Sequence, residues 1–191
     1  FKNLNTLHKC GWYLTGAVTF YQSNVTIENC IFEHNLCEDA VNLVQSNFTF
    51  SNSSVENTYS DGLDSDFSSG TILNSTFINN GNDCIDLSGS TINITACSIN
   101  NSGDKGVSGG ENSLVEVGNS RISNAKIAVA SKDQSSVFID NVEIKNVDYG
   151  YVAFQKKPEY GPAKIIVTNT ADDFINHKNI IDRGSMIIKK K

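Results

Sequence analysis

A repeat of 22 or 23 residues constrains this chain more than any other feature. It is clearest at an asparagine flanked by alternating apolar residues: Asn29, Asn52, Asn74, Asn119 and Asn141, with Ala96 in the same place once. The steps between these positions are 23, 22, 22, 23 and 22 residues. Two residues earlier stand Ile27, Phe50, Ile72, Ile94, Val117 and Ile139, and three later Phe32, Val55, Phe77, Ile99, Ile122 and Ile144. Five residues after the asparagine come His34, Asn57, Asn79, Asn101, Asn124 and Asn146. An upstream column reads Val18, Val41, Leu63, Ile85, Val107, Val129 and Val152.

Each repeat therefore holds three short alternating segments separated by Asn, Gly or Ser. Alternation with period 2 marks strands with one buried face. Asparagine tolerates the left-handed backbone that a sharp turn needs, and asparagines stacked in register can hydrogen-bond along a ladder. The 24 Asn and 22 Ser among 191 residues disfavour helix interiors, which argues against a bundle or a doubly wound α/β fold. The expected fold is all-β: a right-handed parallel β-helix of about seven coils. It is expected over residues 1–170, with core coils 16–170, an inserted loop at 155–162 and a closing segment at 171–191. Phe1 already stands at a core position, so a longer parent protein with further domains is expected. Trp12 and Tyr13 are expected to cover the N-terminal coil. The five cysteines, Cys10, Cys30, Cys37, Cys84 and Cys97, have no metal-ligand spacing and read as small buried thiols.

The formal charge of −6 is unevenly spread. Residues 10–104 carry eleven carboxylates and no Lys or Arg. The acidic balance argues against nucleic acid, and no apolar run is long enough for a membrane span. In the segment around Leu63, one column runs Gly16, Asp39, Asp61, Asp83, Lys105, Ile127 and Gly150. A second runs Thr19, Asn42, Asp64, Asp86, Ser108, Ala130 and Ala153. Two residues further on lie Tyr21, Val44, Asp66 and Ser88. If Leu63 points inward, Asp64, Asp66 and Asp86 point outward. Like charges ~4.8 Å apart repel by roughly 3 kcal/mol per pair at an effective dielectric of 20. Such a patch calls for a hard cation or a neighbouring base. Calcium suits carboxylate oxygens on stacked strands, and Asp64, Asp66, Asp86 and Asp39 are its expected ligands. Lys105 stands one coil beyond Asp83, as an ion-pair partner or, with a lowered pKa, a base.

With the coils aligned, the chain resembles the right-handed parallel β-helix superfamily of pectate lyases, polygalacturonases and alginate lyases. It is more narrowly similar to β-helix domains that accompany CotH-type bacterial surface proteins. The stretches that carry this are Ser60-Asp61-Gly62-Leu63-Asp64-Ser65-Asp66, Asp86-Leu87-Ser88-Gly89-Ser90, Gly103 through Glu111, Ala130 through Ser135, and Gln155 through Pro162. The resemblance implies an extracellular or cell-surface domain acting on acidic polysaccharide. One form is a calcium-assisted lyase in which Lys105, beside Asp61 and Asp83, removes a proton while Lys132, Asn42 and Tyr160 contact substrate. No Arg stands on this face, since Arg121 and Arg183 fall elsewhere in the repeat. His8, His34 and His177 share no column. The alternatives are a non-catalytic, calcium-stabilised glycan-binding or adhesion module, and a divergent polygalacturonase-like hydrolase using Asp61 and Asp83. In the hydrolase pattern Lys105-Gly106 stands where a histidine is expected.

Overall fold

The computed structural model describes residues 1–182 and 184–190, without the side chains of 174–178. It is a parallel β-helix with no α-helix among the described residues. The front sheet stacks Gly16–Tyr21, Asp39–Val44, Asp61–Asp66 and Ile85–Ser88, then the long strands Ser98–Gly110, Arg121–Lys132, Glu143–Phe154 and Ala171–Ile181. The back sheet stacks Asn24–Glu28, Asn47–Ser51, Ser69–Leu73, Thr91–Thr95, Leu114–Gly118, Ser136–Asp140, Lys164–Thr168 and Met186–Lys189. A third side, Ile31–Glu33, Ser54–Glu56 and Thr76–Asn80, runs on into the first halves of the long strands. Among the described residues the front and back stacks each hold eight strands, the third side joining the front one to make eleven, and residues 171–182 and 184–190 add an eighth coil to the expected seven.

The apolar columns fill the interior in register. Ile27, Phe50, Ile72, Ile94, Val117 and Ile139 face Phe32, Val55, Phe77, Ile99, Ile122 and Ile144, all buried. At the N-terminal end Phe1 stacks on Phe32 at 4.8 Å, and Phe32, Phe50 and Phe77 continue the stack. The front column differs from expectation in one coil. Val129 pairs with Tyr151, so Tyr151 is the inward residue and Val152 continues the outer column of Ser108 and Ala130. Likewise Tyr149, and not Gly150, continues the column of Lys105 and Ile127. A one-residue slip exchanges the two faces of a strand. Here Tyr151 is fully buried because its hydroxyl reaches Asp172 Oδ1 at 2.9 Å.

Three turns per coil carry the left-handed residues. Asn29, Asn52, Asn74, Asn119, Asn141 and Asn169 have φ between 47° and 55°. His34, Asn57, Asn79, Asn101, Asn124 and Asn146 form a second such column. Asparagine side chains bond from coil to coil, as in Asn74 Nδ2 to Asn52 Oδ1 at 2.6 Å and Asn101 Nδ2 to Asn79 Oδ1 at 2.8 Å. Just inside two of the turns, serine does a different job. The N–H that follows the left-handed residue is received by a serine hydroxyl of the next coil. At the front-to-back turn the chain of acceptors is Ser23 N to Ser46 Oγ, Ser46 to Ser68, Ser68 to Ser90, Ser90 to Ser113 and Ser113 to Ser135, at 2.9–3.1 Å. Most of these hydroxyls also donate to a carbonyl two residues back, as Ser90 does to Ser88 O at 3.1 Å. The serine content is therefore a buried hydrogen-bond ladder.

Ser90→Ala is expected to cost about 1–3 kcal/mol, because the buried N–H of Ser68 loses its acceptor. Ala96 holds φ 56° without the side chain that favours it, and a shallow hollow of about 440 Å³ opens beside it. Ala96→Asn is expected to stabilise by about 1 kcal/mol. Urea midpoints of the two variants against the parent chain check both.

Candidate functional site

The front sheet brings the expected aspartates together on its outer face. Its ladder sets Asp39 beside Asp61, Asn42 beside Asp64, Asp64 beside Asp86, and Val44 beside Asp66. Asp83 stands one coil beyond Asp61, and its N–H donates to Asp61 Oδ1 at 2.8 Å. Asn82 Nδ2 donates to the same oxygen at 2.7 Å. Asn42 is buried, 4% exposed, and gives its amide to Asp64 Oδ2 at 3.0 Å. The structure therefore places Asn42 as a partner of the carboxylates.

The electrostatics divide the stripe. Among the described residues, Asp39, Asp61, Asp64 and Asp66 have no ion-pair partner, whereas Asp83 pairs with Lys105 at 3.2 Å and Asp86 with Lys132 at 3.5 Å. Burial, reinforced by the neighbouring carboxylates, raises Asp64 to about 9 and Asp39 to about 7. Burial also raises Asp83 to about 7, against the pull of Lys105. Asp61 and Asp66 are raised by burial as well, with hydrogen bonds from Asp83 and Asn82, and from Asn42, holding them back. Asp39 is 2% exposed, and its Oδ2 is buried without a hydrogen-bond partner.

Of the two expectations for Lys105, the structure shows the ion-pair partner. Burial alone would lower its pKa, but Asp83 and Asp104 outweigh burial and raise it, so the ammonium stays charged. Lys132 reaches back two coils to Asp86 by lying over Gly110, where a Cβ would sit 3.2 Å from its Cε. The missing side chain at Gly110 leaves room for that path.

Beyond these lysines the face hollows into a groove of about 570 Å³. Ile127, Val152, Phe154 and Ile180 supply apolar lining, and Lys105, Lys126, Lys132 and Lys156 stand among them with Asp104 and Asp182. Lys126 and Lys156 were not singled out by the repeat. Lys126 lies outside the aligned columns and Lys156 in the inserted loop, so only the fold brings them to the groove. The loop is anchored by the buried Asp133, whose Oδ1 accepts the N–H groups of Lys156 and Lys157 at 2.6 Å each. Lys157 pairs with Glu111, a left-handed turn residue of the longer coil. Tyr160 is half-buried in this loop, its carbonyl held by Gln155 Nε2, and does not line the groove. Arg183 and the side chain of His177 lie outside the described residues.

The carboxylates form an open row. Among the described residues no three His, Cys, Asp or Glu side chains converge as a metal cage. The donor chemistry nonetheless fits a hard cation, since the buried Asp39 Oδ2 is an acceptor without a donor among further carboxylates. Cys37, Cys84 and Cys97 are buried as expected, but Cys10 is exposed. No helix among the described residues is long and apolar enough to cross a membrane.

Residues 3–91 match the family model described as a right handed beta helix region. No curated protein matches the chain. The β-helix fold supports, in general terms, a carbohydrate-active or structural domain.

The pKa shifts fix a pH dependence. Asp39, Asp64 and Asp83 bind protons in the folded state that the unfolded chain, with carboxyls near 3.8, releases. This stabilisation is fully present below the unfolded value and is lost as pH rises through about 7 and then about 9. The melting temperature is expected to fall between pH 5 and pH 9. Asp64→Asn is expected to raise it at pH 8 and flatten the profile, by roughly 2–4 °C for each kcal/mol recovered. Thermal melts across that range check both.

Proposed function

Taking the chain as a right-handed parallel β-helix, we propose that it is an extracellular or cell-surface domain that binds acidic polysaccharide along its front face. The observation that carries this reading is the lysine-lined groove continuous with the aspartate stripe on one face. Lys105 and Lys132, with Lys126 and Lys156, offer ammonium groups to uronate carboxylates, and the apolar lining suits the C–H face of a sugar ring. Asp39, Asp64, Asp66 and Asp86 would hold a hard cation such as calcium, which would neutralise a further carboxylate of the polymer.

Lyase chemistry with Lys105 as base requires a neutral amine at the reacting carbon. Lys105 is held charged by Asp83 and Asp104, so binding is the better-supported role. Hydrolysis is a second reading, favoured by Asp83. Its carboxyl, raised to about 7, can hold a proton for a leaving group while Asp61 stands one coil away.

Titration calorimetry with polygalacturonate and alginate, with calcium or with chelator, tests the proposal. Binding is expected, weakening as salt rises. A Lys126→Ala/Lys132→Ala variant is expected to lose at least tenfold in affinity while melting near the parent chain. Saturable binding to neither polymer, with or without calcium, would overturn the reading. Absorbance from unsaturated products would establish elimination; new reducing ends without it would establish hydrolysis.

A further inference from the structure

The chain leaves the coil pattern once near its N-terminus. Leu7–Lys9 and Trp12–Leu14 form an antiparallel hairpin closed by Cys10 and Gly11, both left-handed at φ 52° and 81°. Two successive left-handed residues are the mark of a type I′ turn, and Gly11 adopts such a φ without strain. The hairpin is rooted at the corner that leads into the front sheet. Leu4 O accepts the N–H of Leu36 at 2.8 Å, and Thr15 O accepts that of Asp39 at 3.4 Å. Its strands therefore leave the body of the helix directly beside the start of the aspartate column.

Trp12 and Tyr13 do not cover the coil as expected; they are 65% and 62% exposed. Trp12 pairs across the hairpin with Lys9, and Tyr13 with His8, whose ring it meets edge-on at 4.4 Å. Successive cross-strand pairs point to opposite faces, so one face offers an indole beside an ammonium and the other a phenol beside an imidazole. In the next two coils the same corner presents Leu36, 59% exposed, and Tyr59, 73% exposed. This exposed apolar edge runs alongside Asp39 and Asp61. Such a concentration of exposed aromatic and apolar surface marks a binding surface more often than scattered single exposure does.

We infer that the hairpin is a distal sugar-binding subsite, taking the ring face of a carboxylated glycan on Trp12 with its carboxylate toward Lys9. The inference rests on the acidic-polysaccharide reading above and adds a chain-length requirement to it. The occupant is argued from the pairing of Trp12 with Lys9. Residues 10–104 carry no Lys or Arg, Lys2 pairs with Glu33 and the Phe1 ammonium bonds Ile31 O, which leaves Lys9, directly across from the indole, to meet a sugar carboxylate at this end. The column from Gly16 to Tyr149 spans seven coils, or roughly 30 Å at ~4.8 Å per coil. A polymer lying along the axis bridges the lysine groove and the hairpin only if it is several rings long.

Calorimetry with galacturonate and mannuronate oligomers, trimers against fragments of about ten residues, tests this. Wild type, Trp12→Ala and Trp12→Phe are compared, and melting curves confirm the fold, which exposed hairpin side chains do not support. The expected result is a loss of at least tenfold for the long oligomer in Trp12→Ala, recovery in Trp12→Phe, and unchanged trimer binding. Equal long-oligomer affinity in Trp12→Ala and wild type would overturn the subsite and leave the acidic-polysaccharide reading standing. So would equal loss for trimer and long oligomer, since the hairpin would then belong to the groove. Absence of binding by wild type at either length would overturn both.

Discussion

A coil of 22 residues must bend sharply three times, and each bend threatens to strand a buried amide. The strands between bends satisfy their own backbone groups by pairing with the coils on either side. The turn residues sit in left-handed geometry, where the following N–H no longer faces a carbonyl of the next coil. Serine closes that gap from Ser46 through Ser135 by receiving the N–H of the preceding coil on its hydroxyl. A buried donor left without an acceptor costs about 1–3 kcal/mol, and the turn recurs in every coil. The constant period, the in-register stacking of the strands and the columns of side chains all follow from meeting that requirement the same way each time.

The same constancy creates the electrostatic problem on the front face. An aspartate that recurs in register is placed one coil spacing from its own kind, with burial adding to the cost. The chain answers it differently along the axis. Asp83 and Asp86 are met by Lys105 and Lys132, and Asn42 and Asn82 give amides to Asp64 and Asp61. Asp39 and Asp64 are left with raised pKa values and, in Asp39, an unpartnered buried oxygen. One end of the face therefore keeps its carboxyls protonated to unusually high pH, and the other presents ammonium groups over an apolar lining.

The fold was largely legible because a strict period carries its own register. The aspartate columns align from the repeat alone, since steps of 22 and 23 residues leave little freedom over the first five coils. Register became ambiguous where the beat ended. Tyr149, Tyr151 and Ala153 alternate with Gly150, Val152 and Phe154, and either set can face inward until Asp172 claims the Tyr151 hydroxyl. The serine column was visible as composition but not as a ladder, because its bonds run between residues 22 or 23 apart. The lysine groove was half legible: Lys105 and Lys132 sit in columns, whereas Lys126 lies between columns in the strand Arg121–Lys132 and Lys156 in an inserted loop.

The repeat and the charge count alone show that this chain coils, how many residues each coil takes, which residues face inward over most of its length, and that one half is acidic. These follow from periodicity and charge, which are local or additive. The folded coils add that Lys105 stays charged, that Asn42 serves Asp64, that Lys132 reaches back two coils over Gly110, and that Trp12 stands in solvent. Each depends on burial or on distances between residues far apart in the chain, and stacking alone sets those.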